Sequence, residues 1–363
     1  MTIFSNLTSM EHEQLVFCHD KSTGLKAIIA IHDTTLGPAL GGCRMWNYET
    51  EEDAIQDVLR LSRGMTYKAA ITGLNLGGGK SVIIGDPSMK SEALFKVFGR
   101  FIDSLNGRYI TAEDVNMRVE DMEQVATETP YVSGVSSGSG DPSPITALGV
   151  YHGIRASVAH RLGKNDLKGL KIAVQGVGNV GTYLCELLHK DGVELFVADI
   201  NNDRVANAKD KYGAKSASLD SIHKLDLDVF APCALGAILN DKTIPELNTP
   251  IVAGGANNQL LHEEAHSKML QELGILYAPD YVINAGGLVN VYQELKGYDE
   301  VGVRHQAEKI YHTLTSIYKE AAASGTTTIL ASNKIAEKRL EQARSIKVLG
   351  NGLDNQLWYK PNN

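Results

Sequence analysis

Two lysines stand where a lysine is not an ordinary solvated charge. Lys68 lies in MTYKAA and Lys80 in LGGGKSV, each flanked by small or apolar residues. Burial, or a neighbouring cation, would lower the pKa of such a lysine and make it a usable base or Schiff-base former. Two of them near each other could divide the work. One would stay charged and grip a carboxylate, while the other deprotonates near neutral pH. Asp114, just past the run Tyr109-Ile110-Thr111, is the nearest carboxylate able to shuttle protons. The plain alternatives are snorkelling surface lysines and an acid that merely caps a helix.

A second constellation points to a dinucleotide. Gly176-Val177-Gly178-Asn179-Val180-Gly181 fits G-x-G-x-x-G, with the strand-like Ile172-Ala173-Val174 before it and a helical pattern after it. Asp199 follows Gly176 by 23 residues, at the end of a second strand-like run. That is the spacing of an acid that binds the ribose hydroxyls. Gly176 would make the tight turn, Gly178 would let the backbone reach a pyrophosphate, and Gly181 would let helix and strand pack closely. The helix N-terminus would then offer N–H groups to the phosphates. Asp199 would repel a 2′-phosphate, and Ile200-Asn201-Asn202-Asp203 brings no adjacent cation, so the expected cofactor is NAD rather than NADP. The alternative is a glycine turn that binds no nucleotide.

The elements that must hold these residues follow from pattern. Ala27–Ile31, Ser81–Ile84 and Tyr109–Thr111 read as strands, and helices are expected from Thr50 toward Lys68 and over Glu92–Leu105. Thr50 before three acids is a capped helix start. Residues 133–144 are almost wholly Gly, Ser, Pro and Asp and read as a hinge or binding loop. Pro144 opens a helix to about His160. Then strands (Lys171–Gln175, Glu194–Ala198, Asp228–Phe230, Ile251–Ala253, Ile275–Tyr277) alternate with helices (Asn179–His189, Asp203–Tyr212), and the end of the chain is helical from Gly302. This pattern and the length predict an α/β protein of two domains, an N-terminal α/β domain (1–143) and a doubly wound, Rossmann-type domain (144–328), followed by a C-terminal helical segment (329–363).

Composition narrows the function classes. The net charge of −8 over 363 residues argues against a nucleic-acid partner. No apolar run approaches the roughly 18 residues of a membrane span. No signal peptide is visible, and four scattered cysteines (Cys18, Cys43, Cys185, Cys233) without a CxxC pair suit free thiols in a reducing, cytoplasmic setting. Glycine is in excess, 35 in all, and nine of them crowd between Gly37 and Gly85 around the two lysines.

GPALGGCRM (37–45), RGMTYKAA (63–70), LNLGGGK (74–80), TAEDV (111–115), PSPITALGVY (142–151), QGVGNVG (175–181), APCALG (231–236), GGANNQL (254–260) and PDYVINAGGLVNV (279–291) occur in this order. Together they resemble the glutamate, leucine, phenylalanine and valine dehydrogenase family, most closely its leucine-type members. The resemblance implies reversible oxidative deamination, in which an L-amino acid and NAD give a 2-oxo acid, ammonia and NADH. It implies that Lys68 binds the substrate α-carboxylate, that Lys80 is the base that activates water, and that Asp114 moves protons to and from the amino group. Thr146 would hold the nicotinamide carboxamide, and Asn257 would lie near cofactor ribose and substrate. Gln175 and the turn 176–181 would complete the cofactor site. Leu40, Gly41, Gly42, Met65, Ala112, Leu288 and Val291 would line the substrate site. The resemblance also implies that the first domain binds the substrate, that the segment 329–363 packs back toward it, and that a cleft separates the two domains, whose closure about 133–144 would exclude water from the hydride step. A homo-oligomer is implied, commonly an octamer in leucine-type members.

Glutamate enzymes of the family carry a lysine where this chain has Leu40, so an acidic side chain would be desolvated against an apolar wall. Ala112 is leucine-like, whereas Leu288 is phenylalanine-like. The expected substrate is a branched-chain amino acid, with phenylalanine or tryptophan as the enzyme alternative. A catalytically silent NAD-binding regulator is the alternative of another class. No metal site is expected. His262-Glu263-Glu264-Ala265-His266 matches H-E-x-x-H, but Leu261, Ala265, Met269 and Leu273 are expected to form the buried stripe of a helix, with the histidines at its polar edge. Gly134-Val135-Ser136-Ser137-Gly138 lacks the helix that a nucleophile elbow needs. Gly79-Lys80-Ser81 lacks the first glycine of a P-loop.

Overall fold

The computed structural model describes residues 3–136, 140–234 and 236–349. They form two compact units. The first comprises residues up to Gly140, Val291–Tyr298 and those from Ala336 onward; the second comprises Asp141–Asn290 and Asp299–Ile335.

The first unit is built on strands β1 (Gln14–Asp20), β2 (Leu25–Asp33), β3 (Ala39–Trp46), β4 (Gly77–Ile84) and β5 (Tyr109–Glu113) in the order β1-β2-β4-β3-β5. β1 and β4 run antiparallel to β2, while β3 runs parallel to β4 and to β5. The helices here are α1 (Ile3–Ser9), α2 (Glu51–Ile71), α3 (Glu92–Asp103) and α4 (Val119–Ala126). One apolar core lies against α3 and holds Leu25, Ile29, Met45, Phe98 and Tyr109; the opposite one lies against α2 and holds Ile28, Val58, Leu59 and Val82. β2 is therefore buried on both faces, which explains its unbroken apolar run. α2 starts as expected, with the Thr50 hydroxyl accepting from the N–H of Asp53 and the Asp53 carboxylate returning to the N–H of Thr50.

The second unit is a six-stranded, all-parallel sheet. β6 (Lys171–Gln175), β7 (Glu194–Ala198), β8 (Lys215–Ser216), β9 (Val229–Pro232), β10 (Ile251–Val252) and β11 (Leu276–Tyr277) stand in the order β11-β10-β9-β6-β7-β8. The chain builds outward from β6 through β7 to β8, then crosses back to β9 and builds the other way. The carboxyl ends of β6 and β9 are thus the switch point at which doubly wound sheets bind ligands. Its helices are α5 (Ser143–Leu162), α6 (Asn179–Lys190), α7 (Asn202–Tyr212), α8 (Glu263–Glu272), α9 (Asp280–Ile283), α10 (Gly286–Glu294, whose end belongs to the first unit), α11 (Glu300–Glu308), α12 (Ile310–Ser324) and the start of α13 (Thr328–Leu349).

Three expectations need amending. The boundary at 328/329 placed 291–298 in the second domain, yet Val291–Tyr298 packs with the first unit. Glu294 accepts there from the N–H of Gly134, and Tyr292, Leu295 and Lys296 line a small cavity with Pro38, Leu76 and Ile110. From Ala336 onward the chain likewise belongs to the first unit: the Arg339 guanidinium donates to the carbonyls of Ala69 and Ala70 at the end of α2, and Arg344 pairs with Asp33. The expected buried face of α8 is reversed. Leu261 and Leu273 are exposed and His266 is fully buried, because its Nδ1 accepts from the N–H of His262 while Nε2 meets Asp241. A histidine with both ring nitrogens engaged is a satisfied core residue, and the zinc-protease pattern holds no site. Finally, β4 begins at Gly77, so Lys80 lies inside a strand rather than before one. Parts of the expected hinge and of the segment 329–363, namely 137–139 and 350–363, lie outside the described residues, as do Ser137 and Gly138 of the G-x-S-x-G match and Leu235 of APCALG. No helix among the described residues is long and apolar enough to cross a membrane.

Candidate active site

Glycine sets the geometry around Lys80. The β3–β4 ladder runs from Ala39 opposite Gly77 to Trp46 opposite Ile84, but between Leu40–Gly78 and Cys43–Ser81 it is interrupted, and Gly41 and Gly42 have no ladder partner in β4. A Cβ on Gly41 would lie 1.7 Å from the Gly79 carbonyl oxygen, so only glycine permits these strands to approach there. A Cβ on Gly78 would lie 2.2 Å from the backbone N and the hydroxyl of Thr66. Its absence seats the last turns of α2, which carry Met65 and Lys68, directly on the strand that carries Lys80. Buried Tyr109 fastens the arrangement: its hydroxyl donates to the carbonyl of Gly41 at 2.6 Å and meets the Ser81 hydroxyl at 2.9 Å. Burial pushes that phenol well above its usual pKa, so it remains a donor.

Gly42 on β3 lies opposite Ala112 on β5, and Lys80 directly precedes Ser81, the β4 partner of Cys43. Asp114 follows the end of β5 and folds back over Gly42, where a Cβ would meet that of Asp114 at 2.8 Å. Lys80 Nζ then sits 2.7 Å from Asp114 Oδ2, with the lysine side chain 8% and the aspartate 25% exposed. The neighbour of Lys80 is thus a carboxylate. Burial alone would raise the pKa of Asp114, but Lys80 and then Arg44 outweigh it and hold the carboxyl below its ordinary value. Leu40 and Ala112 are buried on the same strands, and Lys68 and Met65 are half-buried on α2.

Sequence reasoning overlooked a further set of charges. Arg44 Nε is 3.2 Å from Asp114 Oδ2 and Arg44 Nη1 is 2.9 Å from Asp57 Oδ2; Tyr48 donates to the same Asp57 oxygen at 2.7 Å. The available signal was a lone cation inside the otherwise small and apolar run GPALGGCRM. The four cysteines are free, and burial raises the thiol pKa of Cys18 and Cys43 to about 12 and of Cys233 to about 11. None is a nucleophile at neutral pH.

The second unit presents the glycine turn at the switch point. Gly176 has a positive φ of 98°, and a Cβ on Gly181 would lie 1.9 Å from the Gly176 carbonyl oxygen. No side chain caps α6 at Gly178, which leaves its first N–H groups to an incoming anion. Asp199 accepts from the N–H of Val177 at 2.8 Å and from that of Asn201, so its carboxylate is fixed beside the turn. Gln175, at the end of β6, has a buried side-chain oxygen with no partner. An uncapped helix start, a glycine cradle and an orphaned polar atom fit a dinucleotide. The expectation of no adjacent cation needs qualifying, because Arg204, in the first turn of α7, brings Nη1 within 3.7 Å of where a Cβ on Gly178 would be.

Asn257 Oδ1 accepts from Asn284 Nδ2 at 2.6 Å, a partner the sequence did not suggest. Thr146, half-buried in α5, turns its hydroxyl to the carbonyl of Pro142, and a Cβ on Gly287 would lie 3.1 Å from it. Leu288 is buried in the second unit, while Val291 is half-buried and belongs to the first.

Residues 12–131 match the sequence profile of the Glu/Leu/Phe/Val dehydrogenase dimerisation domain, and 137–201 with 194–347 match that of glutamate/leucine/phenylalanine/valine dehydrogenase. Leucine dehydrogenase of Geobacillus stearothermophilus is 52% identical over 351 residues, 96% of this chain and 95% of that one. L-tryptophan dehydrogenase of Nostoc punctiforme is 52% identical over 347 residues, 96% and 98% of the two chains. The crystal structure of an L-tryptophan dehydrogenase from the same organism superposes with a TM-score of 0.88 at 50% identity, covering 94% of this chain and all of that one. A hetero-hexameric glutamate dehydrogenase from Thermus thermophilus shares the fold at 22% identity and a TM-score of 0.74, over 96% and 93% of the chains. The motifs, the two-unit fold and these matches over nearly the whole chain agree: the protein belongs to the Glu/Leu/Phe/Val dehydrogenase family.

Proposed function

We propose that this amino-acid dehydrogenase catalyses the NAD-dependent, reversible oxidative deamination of branched-chain L-amino acids. The observation that carries the reading is the buried Lys80–Asp114 pair set on bare glycine backbone, with Leu40 and Ala112 on the neighbouring strands and no cation at position 40. A bound nicotinamide cofactor supplies the acceptor for the hydride on the substrate Cα. The residues of this chain do the rest. Lys68 pairs with the α-carboxylate. Asp114 takes and returns a proton at the substrate nitrogen. Lys80, acting in its neutral amine form, accepts the proton of the water that adds to the iminium carbon, and the carbon–nitrogen bond then breaks, with Asp114 returning its proton to the nitrogen, to release ammonia and the 2-oxo acid. Gly77–Gly79 put no side chain in the substrate's path to Lys80, Met65 and Val291 add apolar surface on the first unit, and Leu288 is assigned to substrate binding by likeness to the family. Gln175, the 176–181 turn, Asp199, Thr146 and Asn257 hold the cofactor. Asp199 beside the turn favours the unphosphorylated ribose of NAD over NADP. A homo-oligomer, an octamer by analogy with leucine-type enzymes, assembles through the region that matches the dimerisation profile.

The second reading is an aromatic substrate. It is favoured by Leu288, which is phenylalanine-like, and by the equally similar tryptophan dehydrogenase. One methylene in a pocket shifts preference by only about 1–3 kcal/mol, so a rate panel decides. Initial rates of cofactor reduction with leucine, isoleucine, valine, phenylalanine, tryptophan and glutamate, each with NAD and NADP, are expected to give the highest kcat/KM for a branched-chain substrate with NAD. Glutamate is expected to be the poorest. An aromatic optimum would replace the first reading by the second, and a preference for glutamate or NADP would contradict both.

A further inference from the structure

The charge network behind Asp114 has a direction. Arg44 Nε and Lys80 Nζ both approach the same carboxylate oxygen, Oδ2. No group among the described residues donates to Oδ1. Behind Arg44, Asp57 Oδ2 accepts from Nη1 and from the Tyr48 hydroxyl, while its Oδ1 meets Arg60 at 3.1 Å. Arg44 and Asp57 are both largely buried, with side chains 20% and 15% exposed. A planar guanidinium can bridge two carboxylates at fixed angles, which an ammonium cannot do.

We propose that Arg44 is a positioning residue for the deamination: anchored by Asp57, it holds Oδ2 of Asp114 jointly with Lys80 and so leaves Oδ1 as the oxygen that exchanges a proton with the substrate nitrogen. The inference rests on the proton-shuttle role given above to Asp114. The titratable and charged groups facing Asp114 are Lys80 on β4, Arg44 and Cys43 on β3, and Tyr109 on β5. Burial keeps the Cys43 thiol and the Tyr109 phenol neutral, so the ionisation of Asp114 is set by its own burial, which opposes it, against the two cations, which favour it. Burial also raises the pKa of Tyr48, which stays a neutral donor to Asp57. Removing one of the two cations must move the titration of Asp114 to higher pH.

The test compares wild type with Arg44→Gln, Arg44→Lys and Asp57→Asn. In Arg44→Gln, kcat is expected to fall roughly ten- to hundredfold, the acid limb of the kcat/KM profile to move to higher pH, and the cofactor Kd to stay unchanged. Arg44→Lys keeps the charge but loses the bridge, so it is expected to restore the position of the acid limb while kcat remains low. Asp57→Asn is expected to behave like Arg44→Lys. Infrared difference titration of isotope-labelled aspartate, assigned with Asp114→Asn, reads the same ionisation without turnover. An upward shift of that titration in Arg44→Gln with no turnover in wild type would retain the network and discard the proposed reaction. An unmoved titration, or an unmoved acid limb with kcat within twofold of wild type, would overturn the role of Arg44. Arg44→Lys and Asp57→Asn keep the question answerable if Arg44→Gln does not fold.

Discussion

Replacing Lys80 with alanine is expected to lower kcat by roughly 10²–10⁴-fold, the usual worth of a positioned acid–base group. NADH binding is expected to persist, because the glycine turn and Asp199 belong to the other unit. The loss has two sources. The variant has no group to take the proton of the attacking water, and Asp114 loses its nearer cation, the ammonium at 2.7 Å. Arg44 still holds the carboxylate, so the residual activity should lose its acid limb to higher pH rather than vanish through misfolding. Stopped-flow reduction of NAD together with NADH fluorescence titration separates these effects. A kcat within a few-fold of wild type would remove Lys80 from the chemistry.

Replacing Gly41 with alanine is expected to be the most damaging single-methyl change in the first unit. The added Cβ would lie 1.7 Å from the Gly79 carbonyl oxygen and 3.2 Å from the backbone N of Lys80. Neither neighbour is a side chain that can swing away, so β3 and β4 must separate, and the Tyr109 bond to the Gly41 carbonyl is disturbed with them. A cost of roughly 3 kcal/mol, at the top of the usual range for overpacking, is a large part of a stability of about 5–15 kcal/mol. Activity should fall further than stability does, because the shifted backbone carries Lys80. Gly64 is the internal control: it is exposed within α2 and a Cβ there meets nothing within 4 Å. Gly64→Ala should stabilise by up to about 1 kcal/mol through helix propensity. Denaturant midpoints of the two variants should move in opposite directions. Equal midpoints would mean that the strands do not approach as closely as described.

What the sequence disclosed, and what it did not, has a physical pattern. The dinucleotide turn was legible because strand, turn, helix and acid are contiguous within about one βαβ unit, and local sequence fixes each of them. The two lysines and Asp114 were legible as oddities of composition, a lysine among glycines and an acid after a strand. Their partners were not. Arg44 meets Asp114 and Asp57 only because β3 is inserted between β4 and β5. The glycines that make this insertion possible also hid β3, since glycine is depleted in ordinary strands. α8 misled for a related reason. A histidine reads as polar until its partners are known, and Asp241, which satisfies His266, lies 25 residues away. Val291–Tyr298 joined the first unit through contacts such as Glu294 to Gly134, 160 residues apart, which no local pattern carries.

The most direct test of the proposed reaction is its stoichiometry. With leucine and NAD, the purified protein is expected to produce NADH, ammonia and the 2-oxo acid in equal amounts, and to consume NADH when ammonia and the 2-oxo acid are supplied together. NADH formed without ammonia, or no turnover with any apolar amino acid, would contradict oxidative deamination at the Lys80–Asp114 site.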